Sequence, residues 1–205
     1  VTNGRRWFIF LKGYFRLMHF LSSENPYELM QFAKREIGVS MGYRARFVIQ
    51  ALSDLSKDGD WPEHSLRALI TGLSIERARR NLLSIKYVGP KVADCFLLNA
   101  IRAREVPPVD VNVKRVCDRL RCFPNSFPPP QQNLCKHHLC EDSGDETCPR
   151  YIITKEILEK GTGYTYNGCI RAALKLKFKH SGWVQALLFL HGIEFCQLRN
   201  PRCNK

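Results

Sequence analysis

Apolar residues recur at helical spacing along nearly the whole of this 205-residue chain. In the stretch 42–59, for example, four apolar residues share one helix face: Phe47, Val48, Ala51 and Leu55. No stretch shows the strict apolar and polar alternation of a half-buried strand. The pattern therefore predicts a mainly α fold of short helices joined by tight turns. The predicted helices cover 23–38, 42–59, 62–73, 74–85, 91–101, 111–121, 151–161, 166–180 and 182–195.

The stretch 122–150 departs from this pattern, because it holds three consecutive prolines, acidic residues and turn formers. It predicts a loop or insertion. The domain organisation expected from the sequence is a helical lobe over 1–121, the insertion over 122–150, and a second group of helices over 151–205.

The charge balance is strongly basic: 32 Lys and Arg face 19 Asp and Glu, which gives a net charge of +13. This surplus predicts a polyanionic partner, first of all a nucleic acid, although a basic but otherwise ordinary protein would show it too. No run reaches the ~18 apolar residues of a membrane span, and Lys12 and Arg16 interrupt the apolar N-terminal stretch. We therefore expect neither a membrane partner nor a signal peptide.

The nine cysteines form an odd set that favours a reducing compartment, with free thiols or metal ligands rather than a disulfide scaffold. Five potential ligands cluster in the insertion with irregular spacing: Cys135, His137, His138, Cys140 and Cys148. A zinc site there is one hypothesis, and ordinary thiols are the other.

The segment "YVGPKVADC" at 87–95 lies in a turn between two helices, within a helix-turn-helix unit at about 76–101. Turn amides and a helix N-terminus directed at solvent suit a phosphate, and Gly89 allows close approach of another backbone. A plain connection between helices would explain the glycine equally well.

Lys91 follows that glycine at the mouth of the second helix, against its core face, and Asp110 lies nineteen residues further on at a predicted N-cap. One crossing helix and a short loop can bring this carboxylate back beside the amine. Such a pair suits attack on a sugar C1′, because partial burial favours the neutral, nucleophilic amine and the carboxylate stabilises positive charge on the sugar. The alternative is a surface lysine and a helix-capping aspartate.

Taken together, "LLSIKYVGPKVADCFLLNA" and "VPPVDVNVKRV" resemble the helix-hairpin-helix (HhH-GPD) DNA glycosylase superfamily. The nearest likeness is to eukaryotic-type 8-oxoguanine DNA glycosylase/AP lyases, which "GYRARF" at 42–47 and "GWVQALLF" at 182–189 also resemble. The resemblance implies a two-lobed helical fold with the helix-hairpin-helix at about 76–101 and the base pocket completed by the helices of 151–205.

The resemblance also implies site roles, residue by residue. Lys91 would be the Schiff-base nucleophile and Asp110 its electrostatic partner. Cys95, Gln185 and Phe189 would form the base pocket. Tyr43 would fill the gap left by the flipped base, and Arg44 would contact the opposite cytosine. The other DNA contacts would come from Gly42, Arg46, Val88, Gly89 and Asn112.

The chain departs from the family pattern at several positions. Tyr87 stands where the family usually has glycine, Asn112 where it has histidine, and Gly192 where it has aspartate. The histidine's phosphate contact is therefore in doubt. The family's asparagine-rich segment upstream of "GYRAR" is not recognisable in the 41 residues before Gly42.

A second resemblance concerns "HGIEFCQLRNPRC", which is similar to the start of the iron–sulfur loop of endonuclease III-type glycosylases. Cys196 and Cys203 match its first gap, and the third ligand would fall just after Lys205. Because a cubane needs four thiolates, we expect a 4Fe–4S cluster that is either incomplete in this chain or absent.

The expected function is that of a bifunctional DNA N-glycosylase and abasic-site lyase. It would excise 8-oxoguanine opposite cytosine from double-stranded DNA, as a monomer inside the cell with the DNA. Two alternatives stay open: an endonuclease III-like enzyme for oxidised pyrimidines, and a non-catalytic helix-hairpin-helix DNA-binding module.

Overall fold

The computed structural model describes residues 31, 35, 47, 50, 51, 54, 55, 62–123, 126–161 and 163–194. Within these ranges the regular segments are helices. One isolated β-bridge also pairs Leu139 with Thr147. The mainly α class is therefore confirmed. None of the described helices is long and apolar enough to cross a membrane.

The chain divides into two compact units, one from 1–68 with 85–87 and the other from 69–84 with 88–205. In the first unit, the described residues between 47 and 55 are helical, as the sequence predicts. Helix α1 follows at Pro62–Ala68. The rings of Phe47 and Tyr87 pack with their centroids 4.7 Å apart. The boundaries expected at 121 and 150 stay a prediction.

The second unit contains seven described α-helices, whose ends carry recognisable signals. The Ser74 hydroxyl accepts a hydrogen bond from the Arg77 amide (3.3 Å) at the start of α2. Gly161, with φ +69°, ends α6 in the left-handed conformation that glycine favours. The bounds are α2 Ile75–Ser84, α3 Pro90–Ala100, α4 Val111–Arg119, α5 Gln132–His137, α6 Pro149–Lys160, α7 Ile170–Lys177 and α8 Ser181–Glu194.

The main core of this unit lies where α4, α6 and α7 pack together, and α8 lies along α4. Val113, Ile170 and Leu174 are fully buried in it, and the rings of Phe123 and Phe127 meet edge to face at 5.6 Å. Leu188 and Phe189 of α8 pack against this core. The core therefore anchors the helix that the sequence assigns to the base pocket.

The insertion at 122–150 is more ordered than the predicted loop. It contains α5 and a short 3₁₀ helix at Gly144–Glu146, and α5 packs against α2. Glu146 accepts hydrogen bonds from Arg77 (2.7 Å) and Arg80 (3.2 Å) of α2. The periodicity did not reveal α5, because six residues are too few to show a helical repeat.

A buried ion network ties α2, α3 and α7 together. Arg79 Nε donates to Asp94 Oδ1 at 2.5 Å, and Arg171 bonds both Asp94 (3.0 Å) and Glu76 (2.9 Å). Lys175 also pairs with Glu76. Burial alone would raise the pKa of Glu76, but Arg171, Lys175 and Arg79 outweigh burial and hold that pKa below its ordinary value. The network therefore stays charged inside the protein.

Candidate active site

Lys91 stands in the first turn of α3, after the extended N-cap Gly89 and Pro90. No side chain caps this helix start, so its first amides are open to an external acceptor. The Lys91 side chain is 54% exposed, and the core face of α3 is formed instead by Ala93, Asp94 and Leu97. The expected position against the core face is therefore wrong, because the helical register turns Lys91 outward.

Asp110 is the N-cap of α4, as the sequence predicts. Its Oδ1 accepts hydrogen bonds from the amides of Asn112 and Val113, both at 2.9 Å. Its Oδ2 lies 4.0 Å from Lys91 Nζ. One carboxylate therefore serves both interpretations of the sequence, since one oxygen caps the helix and the other faces the amine.

Cys95 lies one turn after Lys91 on α3 and is partly buried. Burial raises the pKa of the Cys95 thiol; Lys91 opposes this, while Asp94 and Asp110 add to it. The thiol is therefore neutral near pH 7, and it offers a compact apolar surface beside the amine rather than a second nucleophile.

Helix α8 carries the predicted base-pocket residues Gln185 and Phe189, which share one face of the helix. The Gln185 side chain is buried, with 7% exposure, and Phe189 is partly buried and packs against the main core. Gly192, where the family has aspartate, is also buried. The structure thus places the helix that carries these residues along the helix that Asp110 caps.

Gly182 fixes the position of the start of α8, and it was not identified as a site residue from the sequence. Its amide donates to the Arg104 carbonyl (2.8 Å), and a Cβ on Gly182 would lie 2.5 Å from the Val106 carbonyl oxygen. The Ser181 hydroxyl donates to the Glu105 carbonyl (2.7 Å). The start of α8 is thus fixed against the loop that leads to Asp110. The glycine in "GWVQALLF" was the available signal.

Two residues of the hairpin, Tyr87 and Gly89, have different backbone conformations. Tyr87, where the family has glycine, has φ +66°, a left-handed conformation that costs a non-glycine residue about 1–2 kcal/mol. Gly89 has φ −90°, which any residue adopts, and no atom lies within 4 Å of the position of a Cβ there. The fold itself therefore does not require glycine at 89.

Several predicted residues lie outside the part of the chain that the structure describes. They are Gly42, Tyr43, Arg44, Arg46, Cys196 and Cys203. Val88 and Asn112 are partly buried at the turn and in the first turn of α4, and their proposed DNA contacts stay predictions.

Comparison with known proteins gives two similar curated relatives. One is named "Probable N-glycosylase/DNA lyase", from Methanothermobacter thermautotrophicus, and is 38% identical over 86 residues, covering 42% of this chain and 25% of the relative. The other, the "N-glycosylase/DNA lyase" of Saccharomyces cerevisiae, is 34% identical over 90 residues, covering 42% of this chain and 23% of the relative. The matched region thus spans about a quarter of each relative. No family model and no solved structure matches the chain.

Proposed function

We propose that the chain is a DNA glycosylase and abasic-site lyase that removes 8-oxoguanine opposite cytosine. The observation that carries the proposal is the pair at the start of α3, where Lys91 Nζ lies 4.0 Å from Asp110 Oδ2 beside an uncapped helix N-terminus. Two relatives named as N-glycosylase/DNA lyases support the reaction class.

The pair can perform this chemistry in a defined order. The neutral Lys91 amine attacks C1′, the bond from C1′ to the base breaks, and the base leaves with the bonding electrons and takes up a proton. Asp110 stabilises the positive charge that develops on the sugar. Opening of the sugar ring gives an imine, and loss of a C2′ proton then expels the 3′ phosphate by β-elimination.

Because Lys91 is exposed, the bound DNA would have to exclude water from its amine. An amine that is 54% exposed lies in water, so the chain alone does not shield the nucleophile from solvent. Duplex DNA docked on the uncapped start of α3 would exclude water from the amine. The net charge of +13 supports that docking. The enzyme would act as a monomer inside the cell, with the DNA.

Borohydride trapping tests the reaction, because only an imine is reduced to a stable covalent adduct. Wild-type protein should trap on a duplex that contains 8-oxoguanine opposite cytosine, and Lys91→Gln should trap none while its melting temperature stays unchanged. Lys160→Gln, at the end of α6, is the charge-matched control. Undiminished trapping by Lys91→Gln would rule out this nucleophile, and a folded wild type that binds DNA but never traps would be a binding module.

Gln185 tests the substrate assignment, since a buried amide can pair with the donors and acceptor of a flipped purine. Gln185→Ala should lower 8-oxoguanine excision about tenfold to hundredfold, because each unpaired buried group costs ~1–3 kcal/mol. Cleavage of a preformed abasic site needs no base recognition and should fall much less. An equal loss of both activities would mean that Gln185 only packs. Preferential excision of oxidised pyrimidines in a lesion panel would favour the endonuclease III-like alternative.

A further inference from the structure

Four cysteines that the proposed reaction does not use surround one small cavity in the second unit. They are Cys135, Cys140, Cys148 and Cys169, and the cavity is also lined by Arg79, Arg150, Arg171 and His138. All four are free thiols, and Cys140, Cys148 and Cys169 are buried. They come from sequence positions up to 34 residues apart, so the fold assembles this set.

Regular backbone features place each of these cysteines. Cys135 is on α5, and Cys140 follows the bridge between Leu139 and Thr147. Cys148 is the N-cap of α6 and donates its amide to the Leu139 carbonyl (2.8 Å). Cys169 is the N-cap of α7, and its amide donates to Thr154 Oγ1 (2.9 Å). Two sulfurs thus stand at helix N-termini, which favour negative charge.

The surroundings of the cavity are suited to an anion. Arg150 Nη1 and His138 Nδ1 are buried and have no hydrogen-bond partner. Arg79 and Arg171 also line the cavity. The cavity therefore has hydrogen-bond donors and positive charge around its thiols.

The arrangement of the thiols around the cavity distinguishes between two kinds of metal site. Among the described residues, no three His, Cys, Asp or Glu side chains are arranged to hold a single metal ion. A single zinc ion needs its ligands close around one point, with sulfurs at about 2.3 Å. A cubane cluster instead holds its four thiolates around the outside of a larger body. Four thiols that line one cavity, with no three-ligand site for one ion among them, favour the second arrangement.

We propose that Cys135, Cys140, Cys148 and Cys169 bind a 4Fe–4S cluster. This ligand set is separate from Cys196 and Cys203, and it is independent of the proposed glycosylase reaction. In assembly, two ferrous ions, two ferric ions and four sulfides combine with the four thiols. Each S–H bond is replaced by an Fe–S bond, four protons leave, and the product has a charge of −2. Arg150 and His138 then donate hydrogen bonds to its sulfurs.

The cluster would fasten the insertion to the helices behind the active site. Its ligands join α5 and the bridge to the starts of α6 and α7, and α7 supplies Arg171 to the network that holds Asp94 of α3. The Cys140 amide also donates to Glu76 (3.4 Å). The role that follows is structural, since a cluster with ligands on three helices and the bridge adds covalent links to the apolar packing of this region.

The test is metal content, measured apart from activity. The full chain is purified without oxygen and reconstituted with ferrous iron, ferric iron and sulfide; iron, acid-labile sulfide, visible absorption and the spin resonance of the reduced protein are then recorded. We expect about four iron atoms and four sulfides per chain in the wild type. Cys148→Ser and Cys169→Ser should each lose most of the iron. Circular dichroism checks that they are folded.

Two matched controls locate the site. Cys122→Ser removes a thiol that does not line the cavity, and the double variant Cys196→Ser with Cys203→Ser removes the tail thiols; both should keep the full iron content. Loss of iron in the tail variant alone would overturn the proposal. A folded wild type that takes up no iron would overturn it whatever the variants do, and so would one zinc per chain without sulfide.

Discussion

Two charged pairs of helix α3 lie in opposite environments. Lys91 is 54% exposed and lies 4.0 Å from Asp110. Three residues later, Asp94 is fully buried and lies 2.5 Å from Arg79. The Lys91–Asp110 pair, here the outer pair, is long and solvent-exposed, while the Asp94–Arg79 pair, here the inner pair, is short and buried.

Because of this difference, the inner pair contributes mainly to stability and the outer pair is available for chemistry. An exposed pair contributes about 0–1 kcal/mol, so the outer pair can rearrange around a substrate at little cost to the fold. A buried charge that loses its partner costs much more, so the inner pair holds the helix in place. Neighbouring positions of one short helix can thus differ in what they contribute to stability and to chemistry.

Asp94→Ala should have the largest effect on stability. It leaves buried Arg79 without its carboxylate partner and removes one of the two carboxylates that pair with Arg171, and we expect a loss of about 3–5 kcal/mol in the free energy of unfolding. Denaturant unfolding measures it. Asp118→Ala, which breaks the exposed pair with Lys114, is the control and should cost under about 1 kcal/mol. Equal losses in the two variants would contradict the contrast between buried and exposed pairs.

Asp110→Asn should lower activity and leave stability nearly unchanged. Asparagine caps helices about as well as aspartate, so α4 should keep its start. The charge that faces the sugar is lost, which should slow 8-oxoguanine excision roughly a hundredfold, or about 2.7 kcal/mol. Single-turnover kinetics and thermal unfolding give the two values. Activity within a few fold of wild type would mean that Asp110 only caps the helix.

Gly89→Ala should have the smallest effect, and on binding rather than folding. The added methyl group meets no atom within 4 Å, so the free energy of unfolding should change by less than about 0.5 kcal/mol. If a DNA backbone approaches there, affinity at fixed salt should fall about tenfold.

Gly182→Ala is the contrasting variant, because its Cβ would meet the Val106 carbonyl oxygen at 2.5 Å and should destabilise the fold. Unchanged DNA affinity in Gly89→Ala would mean that the hairpin is not part of the DNA interface.

Local features of this protein could be predicted from its sequence. In the part of the chain that the structure describes, periodicity placed several helices to within a few residues, for example 91–101 against the observed Pro90–Ala100, while the helix expected over 62–73 ends at Ala68. The spacing of Lys91 and Asp110 predicted their approach, because one short helix and one loop leave the chain few paths. Tyr87 stands where the resembling family usually has glycine, and its backbone is left-handed, with φ +66°.

Contacts between distant parts of the chain could not be predicted in this way. Arg171 bonds Asp94 and Glu76 across separations of 77 and 95 residues, and a polar residue gives no sign in the sequence of which distant charge it will meet. Lys91 is exposed, while Asp94 shares the buried positions of α3 with Ala93 and Leu97.

The sequence by itself determined the helical class, the hairpin and the pairing of Lys91 with Asp110, because these depend on short-range periodicity and chain connectivity. Only the tertiary structure decided which charges are buried and which thiols line the same cavity. The physical reason is that burial is a property of packing: desolvation and charge pairing depend on what other helices place around a side chain, not on its neighbours in sequence.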